Sequence, residues 1–314
     1  MSAVTLLHAD ALTLRDVWGS WGWASGIALP LGLSLILYAR GVRTVWRAAG
    51  RGHGVRVAEA GAFTLGWAVL VVALVSPLHR LGETLLSAHM AQHELLMAVA
   101  APLLVLGRPL VPFLWALPPA WRRLAGSWSS GRALRAGWEA VTHPVAAWTL
   151  HALAIWIWHV PSLYQATLGS EAAHAAQHAS FLGTGLLFWW TVLRRRGTRI
   201  GTPAAVVALF TTAVHTSLLG ALLVVAPRVW YPIYDTTAAW GLTPLQDQQL
   251  AGLLMWVPGG LVYAAAALIL LATWLREPTS AGLCQLRRVA CRGARGRPRG
   301  VRRGRKRRRQ RSGV

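Results

Sequence analysis

The chain has 314 residues, of which 54% are apolar and only 13% charged, and its net charge is +22. Soluble domains carry about 25% charged residues, so this balance excludes an ordinary soluble fold. The positive excess looks suited to nucleic acid, but the basic residues sit in alternate connections between apolar runs and in a terminal tail, so no nucleic-acid partner is expected.

Crossing the hydrocarbon core of a bilayer takes about 20 predominantly apolar residues. Seven segments qualify by composition: Trp21–Ala39, Val57–Val75, Leu85–Leu106, Val145–His159, Ala172–Leu193, Pro203–Ala226 and Leu250–Trp274. The predicted architecture is an all-α integral membrane protein, a seven-helix transmembrane bundle over residues 1–275. The fourth segment is short and Trp-rich. The 18 Trp of the chain suit interfacial belts. The first, third and fifth connections and the C-terminal segment hold 29 of the 32 Lys and Arg. The opposite connections hold Arg15, Arg80 and Arg228. The positive-inside rule then places the N-terminus outside and the C-terminus in the cytoplasm. Asp10 and Asp16 stand where a cleaved signal would be basic, so none is expected.

The connection Arg108–His143 contains Pro109, Pro112, Pro118 and Pro119 with Trp115 and Trp121, and reads as an interfacial segment. Pro227–Asp247 is the longest external connection, and Tyr231, Tyr234 and Trp240 can pack it down as a lid. Residues 276–314 are rich in Arg and Gly, with too few apolar groups to fold. A disordered basic tail on anionic lipid headgroups follows, at about 1 kcal/mol per cation. Cys284 and Cys291, both in this tail, match no zinc or redox spacing and are expected as free thiols.

Histidine carries the chemistry. His89 and His93 lie in Ser87-Ala88-His89-Met90-Ala91-Gln92-His93, and His174 and His178 in Ala172-Ala173-His174-Ala175-Ala176-Gln177-His178. The i, i+4 spacing puts each pair on one stripe of one helix. Each pair has a Gln before its second His and opens a long apolar run. Ionisable groups in a bilayer are expensive and mark functional sites, and imidazole is the commonest metal ligand. A weak repeat accompanies the pairs: Pro77 precedes the first and Pro161 the second at nearly equal spacing. His79 lies in the connection before the third segment, and His159 ends the fourth in Trp158-His159-Val160-Pro161. Six histidines therefore share one depth.

A second tier is less determined. Met97 continues the His89–His93 stripe, and a thioether beside imidazole suits copper, yet Met97 is equally a core filler. His151 sits about 12 Å deeper than His159, and His215 lies mid-membrane; both read as inner ligands, relays or hydrogen-bonded core groups. Asp247 opens the seventh segment as a helix cap or as a carboxylate orienting a ligating His. Met255 lies two turns deeper. Ala88, Ala91, Ala98, Ala172, Ala175 and Ala176 allow the third and fifth helices to approach closely. The string His93-Glu94-Leu95-Leu96-Met97 fails the HExxH zinc-protease motif at its last position. The only lysine is Lys306, so a retinal Schiff base is excluded.

Several ordered motifs resemble the CtaG-type cytochrome c oxidase assembly factors: His89-Met90-Ala91-Gln92-His93-Glu94-Leu95-Leu96 through Ala101-Pro102-Leu103-Leu104-Val105-Leu106-Gly107; Trp158-His159-Val160-Pro161 with Tyr164; His174 and His178 with Phe181 and Trp189-Trp190; and Asp247-Gln248-Gln249-Leu250-Ala251-Gly252 through Met255-Trp256-Val257-Pro258. The resemblance covers about residues 15–275. It implies a multi-pass bacterial plasma-membrane protein needed to mature a haem–copper oxidase, with an oxidase subunit and lipids as partners and no enzymatic turnover. Copper held or delivered at the outer leaflet is the leading function. A copper transporter passing the ion inward and a b-type haem protein with axial histidines from two helices are the alternatives.

Overall fold

A computed structural model describes residues 19–22, 26–129, 131–194 and 201–276. The basic tail beyond Arg276, with both cysteines, and the N-terminal positions Asp10, Arg15 and Asp16 lie outside the described residues. Every described element is helical. In chain order these are α1 (Ala28–Ala49), α2 (Val57–Leu74), α3 (Pro77–Thr84), α4 (Leu86–Leu106), α5 (Leu110–Ala116), α6 (Pro119–Ser129), α7 (Arg132–Val141), α8 (Pro144–Trp158), α9 (Pro161–Leu168), α10 (Glu171–Arg194), α11 (Gly201–Val225) and α12 (Pro244–Arg276), with a 3₁₀ turn at Thr236–Trp240 before α12.

Four helices, α2, α4, α11 and α12, are long and apolar enough to cross a membrane, and a fifth crossing arises if α7 and α8, bent by 62°, count together. Helices α1 and α10, with 22 and 24 residues, are long enough but more polar. Helix α1 carries Arg40, Arg43 and Arg47; α10 carries Glu171, two His, Gln177 and Arg194. The first helix is displaced from Trp21–Ala39. It begins at Ala28 and runs on through its three arginines to Gly50, whose φ of 89° ends it. Arginine is a good helix former, so charge alone does not stop the helix. The expected interfacial segment folds as three short helices, α5 to α7, broken at Pro109 and Pro118-Pro119. Gly41 on α1 lets α5 dock, because a Cβ there would stand 1.8 Å from the Pro112 carbonyl oxygen.

Two long helices contain a π-helical turn, Leu95–Ala100 in α4 and Met255–Gly259 in α12. Pro258 lies inside the second, and Pro102 follows the first by two residues. Proline donates no N–H and crowds the carbonyl four residues back, and a wider turn accommodates the interrupted ladder.

The buried core divides along the bundle. Tyr38 stacks on Phe63 at 3.6 Å in a cluster of α1, α2 and α4. Phe188, Trp189, Leu209 and Tyr263 fill a second, among α4, α10, α11 and α12, with Trp148 of α8 packed against it. The third contains Met90, Ile155, Tyr164, Phe181, Tyr231, Tyr234 and Met255, and surrounds the histidines.

Candidate metal centre

Both histidine pairs are delivered by the same device. An eight-residue helix with proline in its first turn, α3 or α9, precedes each His-bearing helix, α4 or α10. Each short helix turns the chain back so that the following one starts at the same level. Asp247 then fixes the start of α4. Its carboxylate accepts from Leu86 N at 2.6 Å, from Ser87 N at 3.2 Å and from Ser87 Oγ at 2.5 Å. Asp247 thus caps a helix 160 residues away in sequence. It neither caps its own helix nor orients an imidazole; α12 is capped by Thr243 in a capping box with Gln246.

Six imidazoles gather behind that cap. The pairs face one another across α4 and α10, with ring centroids 5.0 Å apart for His89–His174, 5.7 Å for His89–His178 and 5.4 Å for His93–His178. Within the pairs the separations are 4.5 Å and 4.3 Å. His79, on α3, stacks on His174 at 5.3 Å, and His159, which ends α8, lies 6.2 Å from His93. His89, His93, His159, His174 and His178 are buried and His79 is half-buried. Two groups bring one ligand nitrogen per residue within 4.8 Å of one another: His79, His174 and His178, and His89, His93 and His178.

Hydrogen bonds fix some nitrogens and leave others free. His89 Nδ1 lies 3.1 Å from the Gly82 carbonyl and donates to it, which directs the Nε2 lone pair into the cluster. Gln177 Oε1 stands 3.2 Å from that Nε2 while the Gln177 NH₂ has no partner. A half-turn of the amide lets it donate to the lone pair, so Gln177 satisfies His89 when nothing else does. Gln92 acts similarly on His79: its NH₂ lies 3.3 Å from His79 Nδ1 and 2.7 Å from the Ala73 carbonyl. The Gln before each second histidine therefore serves a histidine of another element. His159 Nδ1 donates to Ile155 O at 2.7 Å, and its Nε2 faces the Met90 sulfur at 3.4 Å.

Both ring nitrogens of His93, and Nε2 of His174 and of His178, are buried with no hydrogen-bond partner in the protein. An unmet buried polar group costs about 1–3 kcal/mol. Burial, aided by the Arg80 guanidinium, lowers the pKa of His79, so its ring is neutral at neutral pH. Burial also raises the pKa of Glu83 beside it; Arg80, paired with Glu83 at 2.9 Å, opposes that rise. Neutral imidazoles, several with unmatched nitrogens, beside a thioether form a donor set that fits a soft cation such as Cu(I).

The remaining sequence candidates stay outside this cluster. Met97 lies in the π turn, packs in the apolar core, and contributes its backbone carbonyl to Trp189 Nε1 at 2.9 Å. The sulfur that reaches a histidine belongs to Met90. The wider turn breaks the 100° periodicity that would carry the stripe on to residue 97. Met255 is also core. His151 is held by Thr184 Oγ1 at 3.1 Å and Tyr263 OH at 3.5 Å, and His215 accepts from Trp156 Nε1 at 3.4 Å. Both are deeper polar contacts between helices.

The lid residues join the site directly. Tyr234 OH donates to Gly82 O at 3.0 Å and lies 3.2 Å from His89 Nδ1 and 3.1 Å from Tyr164 OH. Tyr231 OH donates to the His159 carbonyl at 2.8 Å. Gln248 ties down the start of this connection, accepting from Trp230 N at 2.6 Å and donating to Arg228 O at 3.2 Å. Tyr164 and Phe181 completed the sequence motifs, and the structure sets them against His89 at 5.2 Å and His93 at 4.5 Å.

Fold and site together define an all-helical protein with several helices able to cross a membrane and a buried polyhistidine cluster. The family model for the cytochrome c oxidase caa3 assembly factor (Caa3_CtaG) matches residues 36–277, and the chain belongs to that family. The resemblance read from the motif residues therefore holds. No curated protein and no solved structure matches the chain.

Proposed function

We propose that this assembly factor holds Cu(I) as cargo on the histidine cluster and passes it to a haem–copper oxidase subunit, with no catalytic turnover. The carrying observation is the convergence of six imidazoles from α3, α4, α8 and α10, several with buried nitrogens that the protein itself leaves unmatched. Bound copper would supply the missing partner for those lone pairs. The chain's part is to hold the rings: Gly82 and Ile155 fix the protons of His89 and His159, Asp247 anchors α4, and Tyr231 and Tyr234 close the side toward the lid.

In this reading the protein is a plasma-membrane protein crossing seven times, with α1, α2, α4, α8, α10, α11 and α12 as the spans. Its N-terminus is outside and its basic tail lies against cytoplasmic lipid headgroups. The alternation of 29 basic residues against three supports the orientation. It puts the histidine cluster near the external face, where copper centres of an oxidase can be met.

Geometry favours holding over the alternatives. The His89–Gln177 contact of 3.2 Å bridges α4 and α10, and a planar macrocycle between these helices would have to part them as well as displace Gln177. An inward route would need a chain of ligands beyond the cluster; His151 is engaged by Thr184 and Tyr263, and His215 by Trp156 at Nδ1, with only its Nε2 left unmatched. The test is copper content of the detergent-purified protein after anaerobic incubation with Cu(I). Wild type should retain copper through desalting and a His93→Ala/His178→Ala variant should not. Equal retention by both, or none by wild type, overturns the reading.

A further inference from the structure

We propose that the cluster is two overlapping three-imidazole sites, an outer one of His79, His174 and His178 and an inner one of His89, His93 and His178, and that a single Cu(I) ion moves from the first to the second with His178 as the shared ligand. This rests on the cluster being a copper site at all.

The two triads adjoin and share His178, and His174 of the outer one also lies 5.0 Å from His89 of the inner one by ring centroid. Within each, one nitrogen per ring lies within 4.8 Å of the others. Three imidazoles around one ion at bond lengths of about 2.0–2.1 Å stand roughly 3.5 Å apart, so small ring rotations close either triad. Five imidazoles are more than one Cu(I) ion coordinates, so a single ion uses one triad at a time.

Exposure orders the triads. His79 is half-buried and His174 is 9% exposed, whereas His89 and His93 are 0% and 1% exposed. Copper arriving from solvent therefore meets His79 and His174 first. His178, at 5%, stands between the layers, 4.3 Å from His174 and 5.4 Å from His93 by ring centroid. Next to the inner triad, 6.2 Å from His93 by ring centroid, lies His159, whose Nε2 faces the buried Met90 thioether.

The step is a ligand exchange with no change of charge. The ion gives up two neutral imidazoles, His79 and His174, and gains two, His89 and His93, while the bond to His178 persists. Neither proton nor electron is transferred. On the inner site the ion meets a lone pair of His93 that is otherwise unmatched and takes the place of Gln177 on His89; His174 Nε2 is left unmatched in exchange, so the order of the two sites rests on exposure. Two ions at once would compete for His178 and repel at close range, so occupancy is one.

The experiment uses full-length protein in detergent, Cu(I) delivered anaerobically, and a strong Cu(I) chelator as competitor. Wild type should hold one copper. His79→Ala should still hold one copper as tightly but load it more slowly, on the order of 10-fold. His93→Ala should still take up one copper but lose it to chelator on the order of 10-fold faster, at least the loss seen when a metal site's supporting groups are removed. His178→Ala should hold none. His93→Gln, which keeps polar volume, repeats the inner test should the alanine variant fold poorly. Two coppers per wild-type chain, unchanged loading in His79→Ala, or no uptake by either residue-93 variant would overturn the two-site scheme while leaving copper binding intact. No copper on wild type would instead sink the reading beneath it.

Discussion

Asp247 on α12 and Leu86 on α4 are 161 residues apart, yet the aspartate carboxylate accepts the Leu86 amide at 2.6 Å. The first N–H groups of a helix have no partner inside it. In α4 two of them, with the Ser87 hydroxyl, converge on this fully buried carboxylate. A negative charge at a helix N-terminus also meets the positive end of the helix dipole. The contact sets where α4 begins and hence the depth of His89 and His93.

Asp247→Ala removes three hydrogen bonds and leaves two backbone donors buried. A loss of about 1–3 kcal/mol is expected, seen as a lower thermal midpoint in detergent, with weaker copper retention because α4 can slide. Asp235→Ala, at an exposed position, should change neither. A wild-type midpoint for Asp247→Ala would show that α4 is positioned by packing alone.

His93 should show the opposite sign. Both of its nitrogens are buried without partners, and Phe181 packs against its ring at 4.5 Å. An apolar group of similar size removes two unmet polar atoms. His93→Leu should therefore stabilise the metal-free protein, by about 1–3 kcal/mol, while weakening its hold on copper. Sites kept for function commonly sacrifice stability in this way. Midpoints measured with and without Cu(I) decide it: a destabilised metal-free variant would mean that His93 is structurally satisfied.

Much of this site was legible in the sequence. Spacing alone put His89 with His93 and His174 with His178 on single helix faces, and Pro77 and Pro161 marked equivalent starts. For Met97 the sequence leaves ligand and core filler both open. Pro102 widens the preceding turn of α4, so Met97 leaves the stripe and Met90, one residue past His89, supplies the sulfur beside His159. The role of Asp247 was hidden for another reason: an N-cap signal in sequence assumes a local partner, whereas this cap reaches across the bundle. The first helix runs on past Ala39 because helical backbone tolerates Arg40, Arg43 and Arg47.

Helices α11 and α12 meet through glycine. A Cβ on Gly220 would stand 2.6 Å from the Gly252 carbonyl oxygen, and one on Gly252 would stand 2.5 Å from the Gly220 oxygen. Both neighbours are backbone, so neither can yield by rotating a side chain. Close approach through small residues is the main source of helix association in lipid. Gly220→Ala and Gly252→Ala should each cost about 1–3 kcal/mol through overpacking. Gly183→Ala, where a Cβ meets nothing within 4 Å, should be neutral or better. Folded yield from size-exclusion chromatography, with thermal midpoints, reads the difference. Tolerance at both Gly220 and Gly252 would show that the two helices are free to separate.

Orientation can be tested without reference to copper. Arg40, Arg43, Arg47, Arg51 and Arg56 flank the connection between α1 and α2, and the connection after α4 repeats the pattern with Arg108, Arg122 and Arg123. Arg80 and Arg228, by contrast, stand alone at the histidine end. Basic residues near a span resist translocation, so the arginine-rich ends should stay cytoplasmic. A reporter fused after Leu275 should be active only if it works in the cytoplasm, and one inserted near Thr236 only if it works outside. The same logic makes the terminal segment separable: deleting residues 284–314 should leave oxidase maturation intact, since the orientation survives with 14 basic residues against three in the remaining connections. External activity after Leu275 would invert the bundle and put the histidine cluster on the cytoplasmic side, where delivery to an externally facing copper centre fails.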